Sequence, residues 1–142
     1  MEELDIYNEL VMEHALNSRN KKELEHFDSC ELGHNPNCGD EIKIELKLSE
    51  DKKRIEEMSF TGHGCAVSQA SASIMIDTLR GKTLEEAKEI ILIYLKMIRR
   101  EEITKEEEVK LQDAVAFKNI SNMPARVKCA LLAWHTLESM IK

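Results

Sequence analysis

Between residues 42 and 48 the chain alternates. Ile42, Ile44, Leu46 and Leu48 are apolar, and Lys43, Glu45 and Lys47 between them are charged. Successive side chains of a strand point to opposite faces, so this period of two predicts a half-buried strand. "SEDKKR" follows as a turn. "IEEMSFTGHG" then predicts a second strand carrying Ile55, Met58 and Phe60, and the two strands form an antiparallel hairpin. Upstream, Leu4, Tyr7, Leu10, Val11 and Leu16 recur at roughly helical steps and predict a helix over residues 3–16. Residues 17–40 are polar and irregular, with room for a short edge strand in "LEHFDSCEL".

After Gly62 and Gly64 the pattern turns helical. "CAVSQASASIMIDTLRG" predicts a helix ended by Gly81, and the first half of it is almost all small residues. Such a face lets another backbone approach closely. Thr83 with Glu86, and Thr104 with Glu107, have capping-box spacing. They open a helix over 83–100, with Leu84, Ala87, Ile91, Leu95 and Ile98 as its stripe, and a shorter one over 104–117. Pro124 suits the first turn of a last helix, whose core stripe reads as Val127, Leu131, Trp134 and Ile141. Helix, strands, then helices predict an α+β fold: a small antiparallel sheet packed against helices, as one domain over residues 1–142.

Composition narrows the function classes. Hydrophobic residues make up 42% and charged residues 33%, the balance of a globular chain that buries a core. The net charge of −7 argues against a nucleic-acid surface, which needs a basic patch. "IILIYL", the longest apolar run, is too short to span a bilayer, and the acidic N-terminus lacks the basic and apolar regions of a signal peptide. The expected setting is the cytosol, with neither nucleic acid nor membrane as a partner. Stable disulfides are rare there. Cysteines 30, 38, 65 and 129 are then buried hydrophobes, metal ligands or reactive thiols.

Three of them have suggestive neighbours. Cys38 and Asp40 stand two apart in "NPNCGD", and Gly39 between them permits unusual backbone angles and close approach. Cys65 follows "GHG" and opens a helix, beside unpaired N–H groups and the positive end of a helix dipole, both of which favour thiolate. Cys129 sits in the early turns of the last helix, off the expected core stripe, with Arg126 and Lys128 adding positive potential. Cys38, Asp40, Cys65 and Cys129 would together supply three soft donors and one hard one. Zinc accepts such a shell, and iron–sulfur clusters favour thiolates. Residue chemistry alone leaves other readings open. Each cysteine can be a buried small hydrophobe, the reading taken for Cys30. Asp40 can be a turn residue. His34 and His63 read as solvated loop residues, and His14, His26 and His135 as surface or helix residues.

Three motifs occur in order: "NPNCGD", "GHGCAVSQASASIM" and "MPARVKCALLAW". Together they strongly resemble the U-type iron–sulfur cluster assembly family (SufU, IscU and the N-terminal domain of NifU), over essentially the whole chain. The resemblance implies a compact α+β fold. It implies that Cys38, Cys65 and Cys129 are the essential thiols, with Asp40 beside them. It also implies a partner, a pyridoxal-phosphate (PLP) cysteine desulfurase that delivers persulfide sulfur. Lys128 stands where IscU scaffolds carry a histidine, and the interval from Cys65 to Cys129 is longer than in IscU. Both features resemble the SufU branch. That branch implies a zinc site at Cys38, Asp40, Cys65 and Cys129, sulfur acceptance at Cys38, and an Arg126 placed to interact with site and partner. Ser18, where many relatives carry proline, and the extra Cys30 depart from the pattern without touching its motifs. Three mechanisms compete. One is zinc-dependent sulfur transfer. The second is a scaffold on which a transient [2Fe–2S] cluster forms and passes to apo iron–sulfur proteins. The third is a structural zinc module.

Overall fold

A computed structural model describes residues 9–36 and 39–141, the side chain of Ser121 apart. Helix α1 (Glu9–Asn17) leads into a sheet of β1 (Ser29–Asn35), β2 (Asp40–Leu48) and β3 (Ile55–His63). Helices α2 (Ala66–Leu79), α3 (Leu84–Ile98) and α4 (Lys105–Leu111) follow. A run of 3₁₀ turns (Gln112–Asn122) then leads to α5 (Pro124–Met140). The α+β class expected from the sequence is the class observed.

The sheet is antiparallel in the order β1-β2-β3. The alternation on β2 works as expected: Ile42, Ile44 and Leu46 are buried beneath the helices, opposite Phe60 and Met58 of β3. The edge strand foreseen within "LEHFDSCEL" exists, but it starts at Ser29 and runs on to Asn35. Cys30 does not take the buried place expected of it. It is exposed, because it lies on the outer side of the pleat of an edge strand.

The helix starts match their sequence signals. Thr83 and Thr104 each accept from the backbone N–H three residues on, and Glu86 and Glu107 each reach back to the cap. Backbone hydrogen bonds from Thr83 and Thr104 hold both carboxyls below the usual glutamate range. The helix expected over 104–117 ends early, at Leu111. Gln112 takes a positive φ of 51°, which interrupts the α-helical ladder. On either side of it Leu111, Ala114, Phe117 and Ile120 are all buried. They are spaced by threes, and a 3₁₀ turn of three residues aligns such a series on one face.

Of the stripe expected on the first helix, Leu4 and Tyr7 lie outside the described residues. Val11 is buried, whereas Leu16 is exposed. Five steps around a helix place Leu16 about 140° away from Val11. His14 turns inward, and its Nδ1 lies 2.6 Å from Ser73 Oγ on α2.

Of the stripe expected on the last helix, Trp134 and Ile141 are buried, but the core seam is shifted around it. Cys129, Ala130, Ala133, Trp134 and Leu137 are in the core, while Val127 and Leu131 are half-buried at its margin. The reason is small-on-small packing. Ser71, on the small-residue face of α2, donates through Oγ to the Ala130 carbonyl at 2.7 Å. Trp134 Nε1 donates to the same Ser71 Oγ at 3.0 Å, and the Tyr94 hydroxyl donates to the Ala130 carbonyl at 2.9 Å. The Tyr94 and Trp134 rings stack with centroids 3.8 Å apart. Such a pair contributes about 0.5–1.5 kcal/mol beyond its buried area. Burial pushes the Tyr94 hydroxyl far above its ordinary pKa and keeps it a donor.

Candidate metal centre

The site forms where β2 begins, β3 ends and α5 passes. Asp40 is the first residue of β2 and shares the inward face of Ile42 and Ile44, so its carboxylate is 1% exposed rather than in a solvated turn. Across the strand pair, β3 ends at His63 and the chain passes through Gly64 into Cys65. Cys65 is the N-cap of α2, and its Sγ accepts from the Ser68 backbone N–H at 3.5 Å. The Cys65 backbone N–H donates to Asp40 Oδ1 at 2.9 Å, while the other carboxylate oxygen lies 4.0 Å from Cys65 Sγ.

Cys129 completes the group from α5. It is fully buried, not turned off the core as the stripe suggested, because the core seam of α5 runs through it. The donor atoms of Asp40, Cys65 and Cys129 all lie within 4.8 Å of one another. Donors around one tetrahedral zinc lie roughly 3.5–4 Å apart, so a small contraction brings these three to ligating distance. A buried carboxylate and two thiols, drawn from three distant segments, suit a metal better than they suit a hydrophobic core.

Two residues of this arrangement escaped the reading by motif. A Cβ on Gly64 would lie 2.6 Å from Asp40 Oδ1 and 2.5 Å from Ser68 Oγ, so only glycine lets the carboxylate approach here. Ser68 donates its backbone N–H to the capping Cys65 Sγ and places its hydroxyl 3.7 Å from the same sulfur. Its signal was present, three residues after a helix-opening cysteine.

Cys38 lies outside the described residues. Gly39, next to it, has φ +71°, a left-handed conformation that glycine takes without strain. Arg126 stands half-buried in the first turn of α5, three positions before Cys129, and Lys128 is exposed. His34 and His63 are exposed, as expected, but sit at strand ends rather than in loops.

The description "NifU-like N terminal domain" matches residues 6–142. The chain belongs to this family. It is 37% identical to a zinc-dependent sulfurtransferase, SufU, of Bacillus subtilis, over 94% of this chain and 87% of the relative. It is 36% identical to an iron–sulfur cluster assembly scaffold protein, IscU, of Thermotoga maritima, over 96% of this chain and 93% of that relative. Among solved structures, a putative iron–sulfur cluster assembly scaffold protein for the SUF system of Fervidobacterium islandicum superposes with a TM-score of 0.88. It has 36% identity and covers 96% of this chain and 97% of the other. Family and fold therefore agree with what the three motifs implied. Among the described residues no helix is long and apolar enough to cross a membrane.

Proposed function

We propose that this protein serves iron–sulfur cluster assembly by accepting persulfide sulfur from a PLP-dependent cysteine desulfurase at a zinc site of Cys38, Asp40, Cys65 and Cys129. The observation that carries the reading is the convergence of Asp40, Cys65 and Cys129, from β2, the start of α2 and α5, with donor atoms within 4.8 Å. The similarity to a zinc-dependent sulfurtransferase supports zinc as the ion. Asp40, Cys65 and Cys129 would hold it, with Cys38 as the fourth ligand two residues before Asp40. When bound, zinc keeps thiols deprotonated and poised at neutral pH.

The chemistry assigned to the chain is thiol exchange. The Cys38 thiolate attacks the terminal sulfur of the desulfurase persulfide. A new S–S bond forms on Cys38, the persulfide S–S bond breaks, and the electron pair leaves on the desulfurase cysteine as thiolate. Arg126 adds positive charge at the start of α5, where thiolate and persulfide charge gather. The cytosolic setting belongs to this reading, because such chemistry needs thiols kept reduced.

Similarity to relatives named as scaffolds supports a second reading. There a [2Fe–2S] cluster is cargo, assembled on the three thiolates with Asp40 and passed to apo-proteins. A carboxylate is a harder and weaker partner for such a cluster than a fourth thiolate, which favours release.

One experiment separates the readings: metal analysis of the purified protein, then anaerobic incubation with a cysteine desulfurase, cysteine and iron. Stoichiometric zinc, stimulated desulfurase turnover and no chromophore is the expected result. A transferable cluster absorbing in the visible replaces sulfur transfer with the scaffold. Metal whose removal unfolds the chain, with no effect on the desulfurase, reduces the site to a structural staple.

A further inference from the structure

The strand end that aims Asp40 inward aims its neighbour outward. Glu41 lies on the opposite face of β2, paired with His34 of β1 on one side and His63 of β3 on the other. The three residues form one row across all three strands, on the face of the sheet opposite Ile42 and Ile44. Their side chains already meet. His34 Nε2 lies 4.0 Å from Glu41 Oε1, and His63 Nε2 lies 3.6 Å from Glu41 Oε2. Both distances exceed the range of an N–H···O hydrogen bond, so neither contact is a formed bond that an ion would have to break. The side chains are 51%, 42% and 71% exposed for His34, Glu41 and His63, which leaves them open to an ion arriving from solvent.

We propose that His34, Glu41 and His63 form a second metal site, separate from the thiol site, that takes a divalent first-row ion of the Fe²⁺ class. The donor set is two imidazoles and one carboxylate with further positions open to water. That combination suits non-haem ferrous iron and its neighbours in the series rather than calcium or magnesium. Cross-strand neighbours on one face stand about 4.5–5.5 Å apart at Cβ, a frame from which flanking rings can lean toward a central carboxylate. Donors bound to one such ion lie roughly 3 Å apart, so each imidazole nitrogen has to close on the carboxylate by about 1 Å, and the two rings, which start on opposite sides of Glu41, have to lean over it toward each other. Both rings are exposed enough to rotate that far without disturbing the core. As a surface ion pair the same row would be worth little, and it would not require that both rings face one carboxylate. Binding at this row does not depend on the function proposed above. Its use as a landing place for iron does.

The test uses the full chain with its thiol site first filled with Zn²⁺, and anaerobic Co²⁺ as the spectroscopic stand-in for Fe²⁺. The expected result is one further equivalent of Co²⁺ per chain, with paramagnetic broadening of the His34 and His63 imidazole resonances but not those of His14 and His26. His34→Ala, His63→Ala and Glu41→Gln should each weaken this binding at least roughly tenfold, the cost carried by loss of even an outer-shell partner. All three positions are solvent-facing, so folding should survive, as circular dichroism would check. No further equivalent, unchanged affinity in the two alanine variants, or thiolate-to-cobalt charge-transfer absorption in place of imidazole broadening would each overturn the site. A chain that holds no zinc beforehand speaks against the proposed function instead, and leaves the imidazole readout intact.

Discussion

The Cys65 backbone N–H donates to Asp40 Oδ1 at 2.9 Å, tying the first residue of β2 to the cap of α2. One carboxylate thereby holds the two chain segments of the thiol site together, while its second oxygen faces Cys65 Sγ at 4.0 Å. Asp40→Ala removes both contacts. It should lower thermal stability by about 1–3 kcal/mol, the cost of a lost hydrogen bond to a buried charged acceptor. On the scaffold reading it should also retard release of a [2Fe–2S] cluster, because the hard, labile ligand that an acceptor would displace first is gone, whereas zinc, one ligand short, should be lost more readily. Transfer to an apo-acceptor or a chelator measures this, and unchanged rates would count against the role given to Asp40.

Gly64→Ala probes the same contact without touching a ligand. The new Cβ would press on Asp40 Oδ1 and Ser68 Oγ at 2.6 and 2.5 Å. The expected outcome is a folded protein with reduced zinc content, read by metal analysis beside circular dichroism. Full zinc occupancy would show that the carboxylate can move away at no cost to the site.

Cys38→Ala should abolish sulfur acceptance and leave the fold intact, since the core of the described residues is built from the helices and the inward faces of β2 and β3. Mass spectrometry after incubation with a desulfurase and cysteine detects the persulfide. A variant that still takes up sulfur at the normal rate removes Cys38 from the role of acceptor.

Ser71→Ala tests the support beneath Cys129. It removes the acceptor of Trp134 Nε1 and a donor to the Ala130 carbonyl. The indole N–H is then left buried without that acceptor, at a cost of about 1–3 kcal/mol. Thermal unfolding should shift down by several degrees, and zinc affinity should fall with it because Ala130 is the neighbour of Cys129. An unchanged melting temperature would mean that the stacked Tyr94–Trp134 pair positions α5 without the hydroxyl.

The capping boxes give a pH signature. Glu86 and Glu107 have carboxyls lowered first by the backbone hydrogen bonds from Thr83 and Thr104. Their stabilisation is present above the unfolded glutamate pKa of about 4.3 and is lost as pH falls through the lower folded values. A Glu86→Gln, Glu107→Gln double variant should therefore melt below the parent at pH 6, and the gap should close toward pH 3. A gap that widens in acid would reverse the sign and exclude the caps as its source.

Local pattern by itself determined the elements. The alternation over 42–48, the two Thr–Glu boxes and Pro124 mark β2 and the starts of α3, α4 and α5, because each depends on neighbours a few residues away. The three motifs likewise named Cys38, Asp40, Cys65 and Cys129 as a set, of which Cys38 lies outside the described residues. What only the tertiary structure decided is how distant segments meet. Cys129 is buried because α5 presses its small residues, not Val127 and Leu131, against the small face of α2. Cys30 is exposed because β1 is an edge. Glu41 stands between two histidines because strand register, set by pairing across the sheet, cannot be read along the chain. Periodicity records which face of an element is apolar. Which partner that face meets, and which polar side chains then share one end of the sheet, is settled by packing.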